Sequence, residues 1–215
     1  MAARLPDGAI VSIATTYGTP DTVSDISNAN PGVASSTSHG LSNGNVVLMA
    51  SGWSNLDGRV VRVASSATNT FALEGIDTSS TTLFPATSGA GTATIISAFT
   101  QITQIMGFAT SGGDQQFTNY SFLEQNFETQ IPTYTSAQTI TIDIADDPTL
   151  AGYIALKAAS DARAIRALKI VMPDSSVIYY NGYVSFNETP TVSKGQVMQV
   201  KATFSLTGKP VRYSS

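Results

Sequence analysis

Gln138-Thr139-Ile140-Thr141-Ile142-Asp143-Ile144 opens the stretch, running on to Arg212, whose reading decides the fold. Polar and apolar residues alternate so strictly here that only a half-buried strand fits, with Ile140, Ile142 and Ile144 turned to a core. A helix start follows. Asp147 is placed to cap free backbone N–H groups, Pro148 suits the first helical position, and Leu150, Tyr153, Ile154 and Ala158 recur at helical spacing. Ala164 to Met172 returns to extended character, and Met172-Pro173-Asp174-Ser175-Ser176 marks a turn. Val177 to Phe186 reads as an aromatic, β-branched strand. After a turn at Asn187 to Gly195, Met198, Val200, Ala202, Phe204 and Leu206 alternate with Gln199, Lys201, Thr203 and Ser205. One helix against an antiparallel sheet is the local expectation.

Outward from this stretch, the texture is β-rich. Gly8 to Thr15 is a short strand that Tyr17-Gly18-Thr19-Pro20 should break. From Asp21 to about Gly91 the chain is dense in Ser, Thr, Asn and Gly, with strands expected at about 45–50, 59–64 and 70–73. Turns are expected at Ser42-Asn43-Gly44, Asn55-Leu56-Asp57-Gly58 and Ala67-Thr68-Asn69. Leu83 to Gly91 reads as an exit linker, and Ile95 to Met106 as one strand. The division that follows is a main domain of residues 1–20 and 92–215, with 21–91 inserted as a small β-module.

Composition narrows the function. The 215 residues are 42% hydrophobic and only 12% charged, with a mean hydropathy of +0.07, too apolar for disorder and poor in charge for a solvent-washed monomer. That combination points to assembly. There is no cysteine, so no disulfide framework or thiolate metal site is available. Met1 to Asp7 lacks the apolar run of a secretory signal, and no stretch approaches the about 18 apolar residues of a membrane-spanning helix; folding in a cytoplasm is expected.

Charge is distributed unevenly. Val63 to Leu156 contains no Lys or Arg but eight acids, whereas Lys157 to the end carries eight bases against Asp161, Asp174 and Glu188. Either the two segments are neighbours within one fold, or copies of the chain meet acidic surface to basic surface. Between Gly112-Gly113 and Tyr134, the residues Phe117, Tyr120, Phe122, Leu123, Phe127, Ile131 and Tyr134 punctuate a polar stretch without following either structural period. They either cover the parent core or form an exposed arm; the arm reading makes Phe117, Tyr120, Phe122, Phe127, Ile131 and Tyr134 candidate subunit-interface residues.

Leu168-Lys169-Ile170-Val171-Met172-Pro173-Asp174-Ser175-Ser176-Val177, then Tyr180-Asn181-Gly182-Tyr183-Val184-Ser185, Val192-Ser193-Lys194-Gly195-Gln196-Val197 and Thr207-Gly208-Lys209-Pro210, resemble the C-terminal half of tail tube proteins of long-tailed, non-contractile phages. The Asp147-Pro148 helix falls where that family has its single helix. The resemblance covers about 138–212. It implies a mainly β fold, a sandwich or barrel with one flanking α-helix. It also implies six copies closed into a ring, rings stacked into a tube for DNA ejection, tube-end partners in the virion and no cofactor. Ser38-His39-Gly40-Leu41-Ser42-Asn43-Gly44, Gly52-Trp53, Leu56-Asp57-Gly58-Arg59-Val60 and Asn69-Thr70-Phe71-Ala72-Leu73 resemble a small β-barrel-like module of phage virion proteins. That module is similar to a half-domain flanking the catalytic cysteine of ubiquitin-activating enzymes. Without a cysteine that chemistry does not carry over, and Trp53 and Phe71 are expected in the module's core.

Because DNA carries roughly one negative charge per 1.7 Å of axis, a basic bore would retain it. Asp114, Glu124, Glu128 and Asp143 are therefore candidates for the channel wall or ring-stacking face. Enzyme chemistry finds little support. His39 lies in a turn context, with Asp57 or Asp77 as conceivable partners, and no nucleophile elbow or phosphate loop is present. Asp143, Asp146 and Asp147 are the densest acids and a conceivable hard-cation site, but a helix cap accounts for Asp147 without a metal. The competing binding reading is a carbohydrate- or host-binding β-sandwich at a tail tip, with Trp53, Tyr179, Tyr180 and Tyr183 as a stacking platform.

Overall fold

A computed structural model describes residues 7–214. Residues 1–6, which the sequence division assigns to the main domain, lie outside the described residues. The chain is mainly β with one helix, as its alternation requires. The strands are β1 (Ile10–Val23), β2 (Asp25–Ile26), β3 (Val33–Ser35), β4 (Val46–Ser51), β5 (Val60–Ala67), β6 (Thr70–Leu73), β7 (Gly91–Ile102), β8 (Ile105–Ser111), β9 (Gln115–Tyr120), β10 (Thr129–Thr135) and β11 (Thr139–Ala145). Helix α1 (Ala151–Asp161) is followed by β12 (Ile165–Val171), β13 (Val177–Thr191), β14 (Gln199–Leu206) and β15 (Val211–Tyr213). Every strand except β9 and β10 belongs to one sheet, in the order β2-β3-β6-β5-β4-β7-β1-β12-β13-β14-β11-β8, with β15 on β13. All its pairings are antiparallel, so neighbours in sequence can pair through short connections.

The sheet separates two cores. On one face, α1 packs against β1, β7 and β13, burying Ile140, Ile142, Ile144, Val200, Ala202, Phe204 and Leu168 with Tyr153, Leu156 and Ala159 of the helix. The other core gathers β2–β6 around Trp53, Phe71, Leu56 and Leu73 and includes Ala14 of β1, Ala167 of β12, and Tyr179, Val211 and Tyr213 near the end of the chain. Trp53 and Phe71 are fully buried, as expected. Trp53 also donates from Nε1 to the Pro85 carbonyl at 2.6 Å and packs edge-on to Phe84. Segment 83–91 thus covers the indole rather than merely leading out.

Four expectations need correction. Strand β1 does not end at Tyr17-Gly18-Thr19-Pro20 but runs through it to Val23, because register shifts against β7 between Ala14 and Pro20 absorb the irregular residues. The Tyr17 hydroxyl helps by accepting the Ala167 N–H at 2.8 Å. The run Ile95 to Met106 holds a break at Thr103-Gln104, where Gln104 takes a left-handed φ of 58° and the chain turns from β7 into β8. Asp147 and Pro148 do not cap the helix. Helix α1 starts at Ala151 behind an extended Leu150 with no side-chain cap, and the Asp147 carboxylate instead accepts from the Thr149 hydroxyl (2.6 Å) and N–H (3.0 Å), closing its own turn. Those two bonds hold the Asp147 carboxyl below its ordinary range. Finally, the buried helix face is Gly152, Tyr153, Leu156 and Ala159, leaving Ile154 exposed. Gly152 sits there because a Cβ would stand 2.7 Å from the Gln101 carbonyl oxygen and the Ile102 Cα of β7.

Candidate assembly surfaces

The arm between Gly112 and Ser136 leaves the sheet through two glycines in left-handed conformation, with φ of 75° and 86°. Beyond them β9 and β10 pair only with each other: Thr129 faces Tyr120, Ile131 faces Thr118 and Pro132 faces Phe117. Because paired residues share a face, Phe117 lies with Pro132 on one side and Tyr120 with Ile131 on the other, so both sides carry apolar groups and neither has a core to rest on. Exposure is 56% for Phe117, 78% for Phe127 and 70% for Tyr134; Tyr120, Phe122, Leu123 and Ile131 are exposed as well. An isolated two-stranded hairpin is marginal in water, and this one presents apolar groups to it.

A second surface is the part of the sheet opposite the helix that the β2–β6 unit leaves open. Register places Thr139, Thr141 and Asp143 of β11 beside Ser205, Thr203 and Lys201 of β14, then beside Tyr183, Ser185 and Asn187 of β13 and Ser111, Ala109 and Gly107 of β8. None of these is buried, whereas their alternates on β11 and β14, from Ile140 to Phe204, all are. The single acid and single base on this wall face each other, Lys201 Nζ lying 3.8 Å from Asp143 Oδ1. The wall is small, hydroxyl-rich and charge-balanced. It ends at β8, the last strand of the sheet among the described residues, and there Ile10, Met106 and Phe108 are exposed beside a 500 Å³ groove lined with Val11, Ile105 and Met172.

The four candidate acids do not converge. Asp143 stands on the sheet wall beside Lys201, whereas Asp114 is at the root of the arm and Glu124 and Glu128 flank its tip, all three exposed. Among the described residues the acidic middle and basic end of the chain form one ion pair, Asp143–Lys201, and none on the arm. Other sequence candidates resolve structurally. His39 is buried, its Nδ1 accepting the Leu41 N–H at 3.0 Å and its Nε2 lying 3.3 Å from the Thr70 carbonyl oxygen; it contacts neither Asp57 nor Asp77. Among the described residues no three His, Asp or Glu side chains gather as metal ligands, so Asp143, Asp146 and Asp147 do not combine. Trp53 and Tyr179 are buried and Tyr180 is half-buried, leaving Tyr183 alone of the proposed sugar platform on the surface.

The sequence was silent on the apolar rim of β8, because the strand expected from Ile95 stopped at Met106 and left Gly107-Phe108 unassigned. The turn at left-handed Gln104 starts a new strand there, and its pairing with β11 puts it at the end of the sheet order.

The family model described as phage tail tube protein, TTP, matches residues 51–215, about three-quarters of the chain. The chain belongs to the phage tail tube protein family. A tail tube protein is structural rather than enzymatic, and its place is the virion tail. The match begins inside segment 21–91, at the end of β4, and takes in the Trp53 and Phe71 core. No curated protein matches the chain. Among the described residues no helix is long and apolar enough to cross a membrane.

Proposed function

We propose that six copies of this chain close into a ring, that rings stack into the tail tube, and that double-stranded DNA passes through the bore on its way into the host. The observation that carries this reading is the arm: its Phe117, Phe127, Ile131 and Tyr134 are exposed and belong to neither of the two cores. Rings need head-to-tail contacts between different faces, and the open β8 edge together with the arm supplies two unlike faces. The sixfold number rests on the family resemblance. The bore wall in this reading is the face of β8, β11, β14 and β13 that carries Thr139, Thr141, Asp143, Thr203 and Ser205, where the Lys201 charge is offset and DNA phosphates find little to hold them. Asp143 belongs to the bore, and Asp114, Glu124 and Glu128, carried on the arm, belong to the stacking face. Segment 21–91 is an elaboration on the outside of the tube, its likeness to the ubiquitin-activating half-domain carrying no chemistry. Subunits assemble in the host cytoplasm, and other tail proteins meet the tube's ends.

Negative-stain micrographs of concentrated protein test the reading. Rings with sixfold averages and stacked tubes are expected; discrete single-subunit particles at every concentration would dismiss it.

A further inference from the structure

At the root of the arm lies a cleft of about 640 Å³ whose walls come from four separate segments: Ser54 and Arg59, Gly112-Gly113, residues 135–138, and 206–210. Its charged lining residues are Arg59 and Lys209, both positive; the acid nearest in the chain, Asp114, follows Gly113 at the rim, exposed and not ion-paired with either cation among the described residues. Among the described residues neither cation has an ion pair. Lys209 Nζ reaches only Asn55 Oδ1, at 3.5 Å, and an Arg59 terminal nitrogen donates to the Asn55 carbonyl at 3.4 Å. Arg59 Nε is buried without any acceptor, and beneath the same loops Asn181 Oδ1 is buried without a donor. Burial pushes the Arg59 guanidinium below its ordinary value, as desolvation of a charge with no counter-ion requires. A half-buried guanidinium left in this state destabilises the subunit unless an anion arrives.

The same subunit has anions in the complementary condition. Glu124 and Glu128 flank the arm tip, exposed, and no Lys or Arg occurs anywhere between Val63 and Leu156. They cannot fill their own cleft. The cleft is at the arm's root, and the six-residue strand β9 sets the tip roughly 20 Å away.

We infer that the cleft formed by Arg59 and Lys209 receives the carboxylate of Glu124 or Glu128 from the arm of a second copy, so that each subunit's arm tip docks at the root of its neighbour's arm. This rests on the tube reading and deepens it. The contact is head-to-tail, its two halves being different parts of one chain, so it can be repeated from copy to copy through the assembly. Phe122 and Phe127, next to the two glutamates, would enter with them and exclude water from the ion pair, which makes it count for more than an exposed one.

The test uses full-length protein. A zero-length carbodiimide cross-link, run on a mixture of isotopically labelled and unlabelled copies, is expected to join Lys209 to Glu124 or Glu128 between copies. Lys209→Glu, an exposed change that sets a carboxylate in the subunit's own cleft, should raise the concentration needed for tube formation about tenfold without lowering monomer melting. Glu124→Lys with Glu128→Lys should do the same, and the two sets combined should recover part of the loss. If wild-type tubes form while Lys209→Glu assembles normally, or the cross-link falls elsewhere, the cleft assignment fails and the tube reading stands. If wild-type protein never self-associates, both fall together.

Discussion

Tyr213→Phe removes one oxygen and should loosen the join between the end of the chain and the β2–β6 unit. The hydroxyl accepts the Arg62 N–H at 2.8 Å and donates to the Glu74 carbonyl at 3.2 Å, and the residue is 5% exposed. Around it Arg62 stacks on the ring, 4.4 Å from its centroid, while pairing with the Glu74 carboxylate. Deleting the hydroxyl leaves a part-buried donor and a part-buried acceptor without that partner, a loss of about 1–3 kcal/mol. For a chain of this length that is roughly 2–12 °C in melting temperature. The phenol adds a pH signature. Burial, the first cause, pushes it up from the ordinary 10 to about 12. Between those values the unfolded chain has lost the proton and the folded chain keeps it. Stability is therefore full below pH 10 and falls as pH rises toward 12, at about 1.4 kcal/mol per pH unit, or roughly 2–3 kcal/mol in all. Urea unfolding of dilute protein from pH 8 to 11.5 reads both effects. Tyr213→Phe should unfold earlier at pH 8 and show a shallower alkaline decline. The decline should not vanish, since burial also raises Tyr17, Tyr179 and Tyr180. A variant with wild-type midpoint and wild-type alkaline slope would refute the reasoning.

Three further outcomes are expected. Replacing 114–136 with a short turn should leave monomer melting nearly unchanged and abolish tubes by micrograph, because Asp114 and Ser136 bond to each other at the arm's root and their flanks already meet at Gly112 and Ala137. Gly152→Ala should cost about 1–3 kcal/mol by urea denaturation, since the new methyl meets β7 backbone at 2.7 Å and cannot move aside. Asp143→Lys, beside Lys201, should fold and assemble but give tubes that retain duplex DNA in a low-salt filter assay, where wild-type tubes retain little.

The strands from Thr139 onward were legible because one face of each is buried and the other wet, which imprints the two-residue period on the side chains. Misreadings arose where one residue type serves two geometries. Asp147 looks like a helix cap because the acceptor that caps a helix also closes a turn, and here it closes the turn at Thr149. Pro20 looks like a strand end, but a bulged strand accommodates it. Strand β15 is three residues long and pairs with the far end of β13, so its reason for existing is tertiary. The arm was legible because its aromatics match no period. The cleft at its root was not, because it joins Arg59 to Lys209 across 150 positions of chain and is marked by two unpaired buried atoms, which no local pattern encodes.

Cryo-electron microscopy of concentrated wild-type protein tests the central claim most directly. The account predicts stacked rings whose arms bridge to neighbouring subunits and whose bore is walled by Thr139, Thr141, Asp143, Thr203 and Ser205. A protein that stays monomeric at millimolar concentration, or a bore lined with lysine and arginine, would contradict it.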